Sequence, residues 1–209
     1  MDGLLIDSEP LWQEAAANIF LRYNISLTPQ LYHSTTGLRT KEFTEHWFRH
    51  FKIAETEVPE AAERIVEEVI RLINSKGRPM PGVEHIISFF AARGFKTGLA
   101  TSSGRPVIES VLNILGIKDQ LNAVVSAESL VHGKPHPEVY LNCAAELGAL
   151  PYQCICFEDS FNGMIAVKAA RMRCVVVPSA AEANLPVWQA ADLKISSLQN
   201  FNELLMQTF

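Results

Sequence analysis

The sequence has no apolar run approaching the roughly 20 residues a membrane-spanning helix requires. It opens with no basic segment leading into an apolar core, so it carries no signal-peptide pattern. Positive charge is scarce: 18 Lys and Arg stand against 23 Asp and Glu, a net charge of -5. That balance argues against a nucleic-acid partner, and it is too modest for an acidic disordered tail. Cysteine is sparse as well. Cys143, Cys154, Cys156 and Cys174 form no Cys-x-x-Cys pair, which leaves reduced core thiols as the plain reading. There is no internal repeat and no low-complexity segment. The expectation is a cytoplasmic protein with no membrane partner and no nucleic-acid partner, and a monomer.

What is present suits a globular enzyme. The chain has 209 residues, 48% hydrophobic and 20% charged, enough for one large domain or a core with an insertion. From Leu11 to about Lys76 the apolar spacing is helical. Leu11, Ala15, Ile19 and Phe20 make one stripe; Phe43, Trp47, Phe48 and Phe51 a second; Ala61, Ile65, Val69, Leu72 and Ile73 a third. A turn signal at Gly77-Arg78-Pro79-Met80-Pro81-Gly82 changes the rhythm. Beyond it, strands are expected at Lys96 to Ala100, Ala123 to Ser126, Cys154 to Phe157, Arg173 to Val177 and Leu193 to Ile195. Helices are expected at Val83 to Ala92, Arg105 to Leu115, Pro137 to Leu147 and Gly163 to Ala170. Short apolar strands alternating with helices predict an α/β protein with a doubly wound parallel sheet, its site at the carboxyl ends of the strands.

Four short motifs fall at such ends. Asp2-Gly3-Leu4-Leu5-Ile6-Asp7 places a carboxylate before a residue that permits a tight turn. Thr101-Ser102-Ser103-Gly104 offers hydroxyls and backbone N–H groups to a phosphate, or a plain cap to the helix that follows. Gly133-Lys134-Pro135-His136-Pro137 holds a lysine between backbone-fixing prolines. His136 is expected to serve the loop rather than to move protons. Phe157-Glu158-Asp159-Ser160 sets two carboxylates after an apolar strand, a plausible hard-cation site or an acidic helix start.

Their order and placement resemble the signature of the haloacid dehalogenase-like hydrolases, over nearly the whole chain. The likeness is nearest to the beta-phosphoglucomutase-like branch. The runs Asp7-Ser8-Glu9-Pro10-Leu11-Trp12, Lys134-Pro135-His136-Pro137-Glu138-Val139-Tyr140 and Asn162-Gly163-Met164-Ile165-Ala166 look especially like the 2-deoxyglucose-6-phosphate (hexitol phosphate) phosphatases. The resemblance implies a Rossmann-like core (1-10 and 77-209) with an inserted helical cap (11-76). It implies Mg²⁺ and a small phosphate-ester substrate. Asp2 would be the acid/base and offer its carbonyl to the metal. Thr101, Ser102 and Ser103 would bind the phosphoryl group, and Lys134 would offset its charge. Asp159 would bind the metal, with Glu158 as ligand or support. Arg39, in Gly37-Leu38-Arg39, would contact substrate.

The family's nucleophile is an Asp two residues before the position of Asp2. The sequence is therefore expected to be a truncated form of a longer product that lacks the first core strand, with unpaired backbone groups, a gap in the core and little or no phosphatase activity. Asp7 lies too far past the turn to substitute. A phosphomutase shares every motif, and a catalytically dead phosphate-binding protein is the reading from another class.

Overall fold

The computed structural model describes all 209 residues. Two kinds of segment divide the chain. The first is helical: α1 (Glu9–Phe20), α2 (Pro29–His33), α3 (Thr40–His50) and α4 (Val58–Lys76). Pro10, Pro29 and Pro59 each sit in a first turn, where a missing N–H costs nothing. The three apolar stripes bury together: Phe20, Trp47, Phe48, Ile65, Leu72 and Ile73 are all at most 2% exposed.

The second segment alternates. It runs α5 (Val83–Ala91), β1 (Gly98–Thr101), α6 (Arg105–Leu115), β2 (Ala123–Ser126), α7 (Glu138–Leu147), β3 (Ile155–Glu158), α8 (Phe161–Ala169), β4 (Arg173–Val176), β5 (Leu193–Lys194) and α9 (Glu203–Met206). Every strand pairing is parallel. This is the expected doubly wound α/β arrangement with its helical addition. The boundaries shift slightly. β1 starts at Gly98 because Lys96 and Thr97 are a lead-in whose side chains bond out to Leu147 and Gln120 carbonyls. α8 starts at Phe161 because the Ser160 hydroxyl caps it, accepting from the Gly163 N–H at 3.1 Å.

The strands form two half-sheets, β1-β2 and β3-β4-β5. Between them lies a cavity of about 450 Å³, lined mostly by apolar residues of β1, β3, α5 and α7. β4, enclosed on both sides, buries Cys174, Val175 and Val176 completely. Ile155, Cys156 and Phe157 of β3 are only partly buried, since they border the cavity.

Candidate active site

The carboxyl ends of β1 and β3 point to one place. β1 delivers Thr101, Ser102 and Ser103; β3 delivers Glu158 and Asp159. The loop before α7 brings Lys134, and the turn at the start of the chain brings Asp2. Asp2, Thr101, Ser102, Ser103, Lys134 and Asp159 line one small polar cavity of about 90 Å³, roofed by the helical segment.

Asp2 is held by three donors. Its Oδ1 accepts from the Ser8 hydroxyl at 2.7 Å and from the Trp12 indole N–H at 2.8 Å. Its Oδ2 accepts from the Ser103 hydroxyl at 2.7 Å. Three fixed donors set the carboxylate's orientation. Gly3 follows with φ +67°, and any Cβ there would collide with the Asp159 carboxylate. Glycine is thus required twice over, for backbone shape and for room.

Lys134 and Glu158 are a buried pair at 2.5 Å, their side chains 6% and 5% exposed. Glu158 Oε1 also accepts from the Tyr140 hydroxyl, and Oε2 accepts from the Asp159 N–H, the Ser160 N–H and the Ser160 hydroxyl. Burial alone would raise the Glu158 pKa. The Lys134 charge, the Met1 ammonium and these bonds outweigh it and hold the group at about 2. Asp159 goes the other way, pushed up to about 7 by burial and by the Glu158 charge. Glu9 follows to about 8, through burial and then the charges of Asp159 and Asp2.

This excess of buried negative charge fits a divalent cation. Oxygen-only donors suit Mg²⁺, which commonly takes one or two carboxylates and fills its remaining positions with water and substrate oxygens. Asp2 and Asp159 are the two carboxylates of the central motifs that line this cavity. No set of three acidic, histidine or cysteine side chains is grouped to hold a metal by itself. Glu158 is saturated by Lys134, Tyr140 and Ser160 and does not line the polar cavity.

Arg39 stands apart from the other expected site residues. Its guanidinium binds Glu42 at 2.5 Å and donates to the carbonyls of Leu130 at 2.7 Å and Ala127 at 3.3 Å, and it does not line the polar cavity. Neighbouring cap residues do: Gly37 and Leu38 border the cavity, and the Ser102 hydroxyl donates to the Gly37 carbonyl at 2.8 Å. Asp7 is exposed and outside the site. His136 is half exposed, 3.8 Å from Glu138 and away from the cavity.

The sequence reading missed several members. Ser8 and Trp12, which fix Asp2, sit in the run quoted for its resemblance but were assigned no role. Tyr140 lies one turn into α7. Glu9 Oε2 and Thr36 Oγ1, both lining the cavity, are buried without a hydrogen-bond partner.

The family model for haloacid dehalogenase-like hydrolases matches residues 1–171. Hexitol phosphatase B of Escherichia coli is 42% identical over 200 residues, covering 95% of this chain and 90% of its own. A fructose-1-phosphate phosphatase of the same organism is 31% identical over 181 residues, covering 85% and 93%. Among solved structures, a beta-phosphoglucomutase from Clostridium difficile is 25% identical, with a TM-score of 0.87 over 99% of this chain and 92% of its own.

Proposed function

We infer, from the fact that this chain belongs to the haloacid dehalogenase-like hydrolases, that it is a phosphatase of small sugar or sugar-alcohol phosphates. One observation carries the reading: Asp2, Thr101, Ser102, Lys134 and Asp159 converge on a single polar cavity at the strand ends. The two unpartnered buried groups in that cavity, Glu9 Oε2 and Thr36 Oγ1, support a hydroxyl-rich substrate, whose hydroxyls would satisfy them.

In this reading Thr101 and Ser102 hold the phosphoryl oxygens, and the Lys134 ammonium offsets the charge gathered around phosphorus. Mg²⁺ bound at Asp2 and Asp159 would supply further charge neutralisation on the transferring group. Asp2, oriented by Ser8, Trp12 and Ser103, protonates the leaving sugar oxygen and then draws a proton from the water that hydrolyses an aspartyl phosphate. By the family pattern, the carboxylate that forms this intermediate belongs two residues before the position of Asp2. The helical segment (11-76) closes the site from bulk water.

The test follows phosphate release from hexitol 6-phosphates with Mg²⁺, using this chain and a version with an apolar strand ending in Asp placed before Met1. Release by the extended protein, abolished by Asp2→Asn, is expected. No release by a folded, extended protein over a panel of sugar phosphates would overturn the reading. Isomerisation of a sugar phosphate without net release would make the enzyme a phosphomutase.

A further inference from the structure

Glu9 and Thr36 are polar groups of the small cavity that the phosphoryl chemistry leaves unused. Glu9 opens α1, and Thr36 lies in the loop between α2 and α3. Both line the cavity, and Glu9 Oε2 and Thr36 Oγ1 are buried there with no hydrogen-bond partner. An unpaired buried polar atom costs stability and calls for a partner.

The preceding residue sharpens the point. Thr35 donates its hydroxyl to the Tyr32 carbonyl at 2.9 Å and accepts from the Trp47 indole N–H at 3.2 Å. Thr36 makes neither kind of bond through its side chain, yet its backbone is fixed. Its carbonyl accepts from the Asn162 side-chain amide at 3.0 Å, and the Gly37 carbonyl accepts from the Ser102 hydroxyl at 2.8 Å. A free hydroxyl on a pinned backbone is preorganised for a ligand. Glu9 is placed by a tight approach. A Cβ on Gly3 would stand 3.4 Å from Glu9 Cγ and 2.2 Å from Asp159 Oδ2, so the two acidic side chains flank one glycine.

The chemistry of the missing partner follows. Glu9 already feels the charges of Asp159 and Asp2, which disfavour a further anion beside it. An alcohol is neutral and carries one donor and two acceptor sites. It can bond a carboxyl group in either protonation state and a threonine hydroxyl in either sense. The same cavity is lined by Ala16, Leu38, Phe43 and Ile65, which suit the carbon chain between such hydroxyls.

We propose that Glu9 and Thr36 read the hydroxyls on the uncharged end of the substrate and so set a preference for polyol esters over phosphate esters without hydroxyls. The proposal rests on the phosphatase reading for the placing of the phosphoryl group at Thr101, Ser102 and Lys134. A site built to bond a hydroxyl rejects the analogue that lacks it, because its own buried groups stay unpaired.

The test uses two phosphonates of equal chain length, in which carbon replaces the ester oxygen so that nothing turns over. One carries the hydroxyls of a hexitol, and the other is a plain alkyl chain. Inorganic phosphate is the third probe. Titration calorimetry with Mg²⁺ present gives each affinity for the 209-residue protein and for Glu9→Met, Thr36→Val and Glu9→Gln. The unaltered protein should favour the hydroxylated ligand by about tenfold or more. Glu9→Met should abolish that preference and Thr36→Val reduce it several-fold, with inorganic phosphate bound no more weakly by either. Glu9→Gln keeps hydrogen-bonding atoms in place and should retain most of it. Equal affinity of the unaltered protein for the two phosphonates would overturn the proposal. So would a preference that survives Glu9→Met and Thr36→Val together. A loss that inorganic phosphate shares in full would also overturn it, since the residue would then serve the phosphoryl end. A protein that discriminates the two ligands yet, in its extended form, releases no phosphate from any sugar phosphate would count against the phosphatase reading and leave this proposal standing.

Discussion

Two cavities meet at Met1, and they differ in nearly every respect. One is small and polar, and most of its charged groups are already engaged: Asp2 by three donors, Glu158 by Lys134, Tyr140 and Ser160. The other is about five times larger in volume, apolar, and bordered by two unpaired strand edges. The polar cavity is held by directed bonds, so removing one partner strands another. The apolar one is bounded by side chains that already lack neighbours, so removing one loses little more.

The sharpest way to break the contrast is Lys134→Ala. It leaves Glu158 buried with its counter-charge gone, and breaking a buried pair in this way costs about 3–5 kcal/mol. A fall of that order in unfolding free energy by urea titration is expected. An unchanged midpoint would mean that Tyr140 and the Ser160 groups suffice to hold the carboxylate.

Next comes a matched pair of truncations. Ile73→Ala removes a side chain that is fully buried in α4, and such changes cost about 2–5 kcal/mol. Ile155→Ala removes the same atoms beside the apolar cavity, where part of the side chain is already open. It is expected to cost roughly 1 kcal/mol, because little new cavity is created and little packing lost. Equal costs in the free protein would refute the idea that the cavity weakens packing at β3.

A third difference is electrostatic and shows with pH. In the unfolded chain Asp159 and Glu9 titrate near 4, whereas in the fold they hold protons to about 7 and 8. Between those limits the folded state binds more protons, so raising the pH lowers stability, by at most about 1.4 kcal/mol per pH unit for each group. Glu158, held at about 2, has the opposite sign: its contribution is present above pH 4.5 and is lost as pH falls through 2. Metal-free protein should therefore lose stability from about pH 5 to pH 8. Glu9→Gln should flatten the upper part of that decline, and Mg²⁺ should oppose it. Urea midpoints measured across this range check all three statements.

Much of this contrast was legible in the sequence, but unevenly. The strand-end motifs announced themselves because each pairs an apolar run with an abrupt polar residue, as at Phe157-Glu158-Asp159. The helical stripes did so through their spacing. Supporting groups were harder to see. Ser8 and Trp12 reach Asp2 only because the chain turns sharply at Gly3 and re-enters as α1, a fold-back that no local periodicity encodes. Tyr140 reads as one more apolar residue of a helix until β3 places Glu158 against its hydroxyl. The expectation that Arg39 contacts substrate rests on the resemblance of Gly37-Leu38-Arg39 to the family's cap loop. The arginine's carbonyl partners at Ala127 and Leu130 are some 90 residues away and could not be anticipated.

That long-range contact gives the smallest of the expected effects. Arg39 joins the helical segment to the loop after β2 and so helps to roof the polar cavity. A lysine at this position keeps the charge but loses the planar fork that reaches Glu42 and two carbonyls at once. Glu42 is partly exposed and can rehydrate, and so can the loop carbonyls, so the loss should be about 1 kcal/mol. The loss should appear locally more than globally. In Arg39→Lys, amide exchange at residues 34–39 should quicken several-fold while β4 keeps its protection. Equal acceleration at β4 would mean that the arginine supports the whole fold. No acceleration anywhere would mean that Ser102 and Asn162, which bond the Gly37 and Thr36 carbonyls, hold the roof without it.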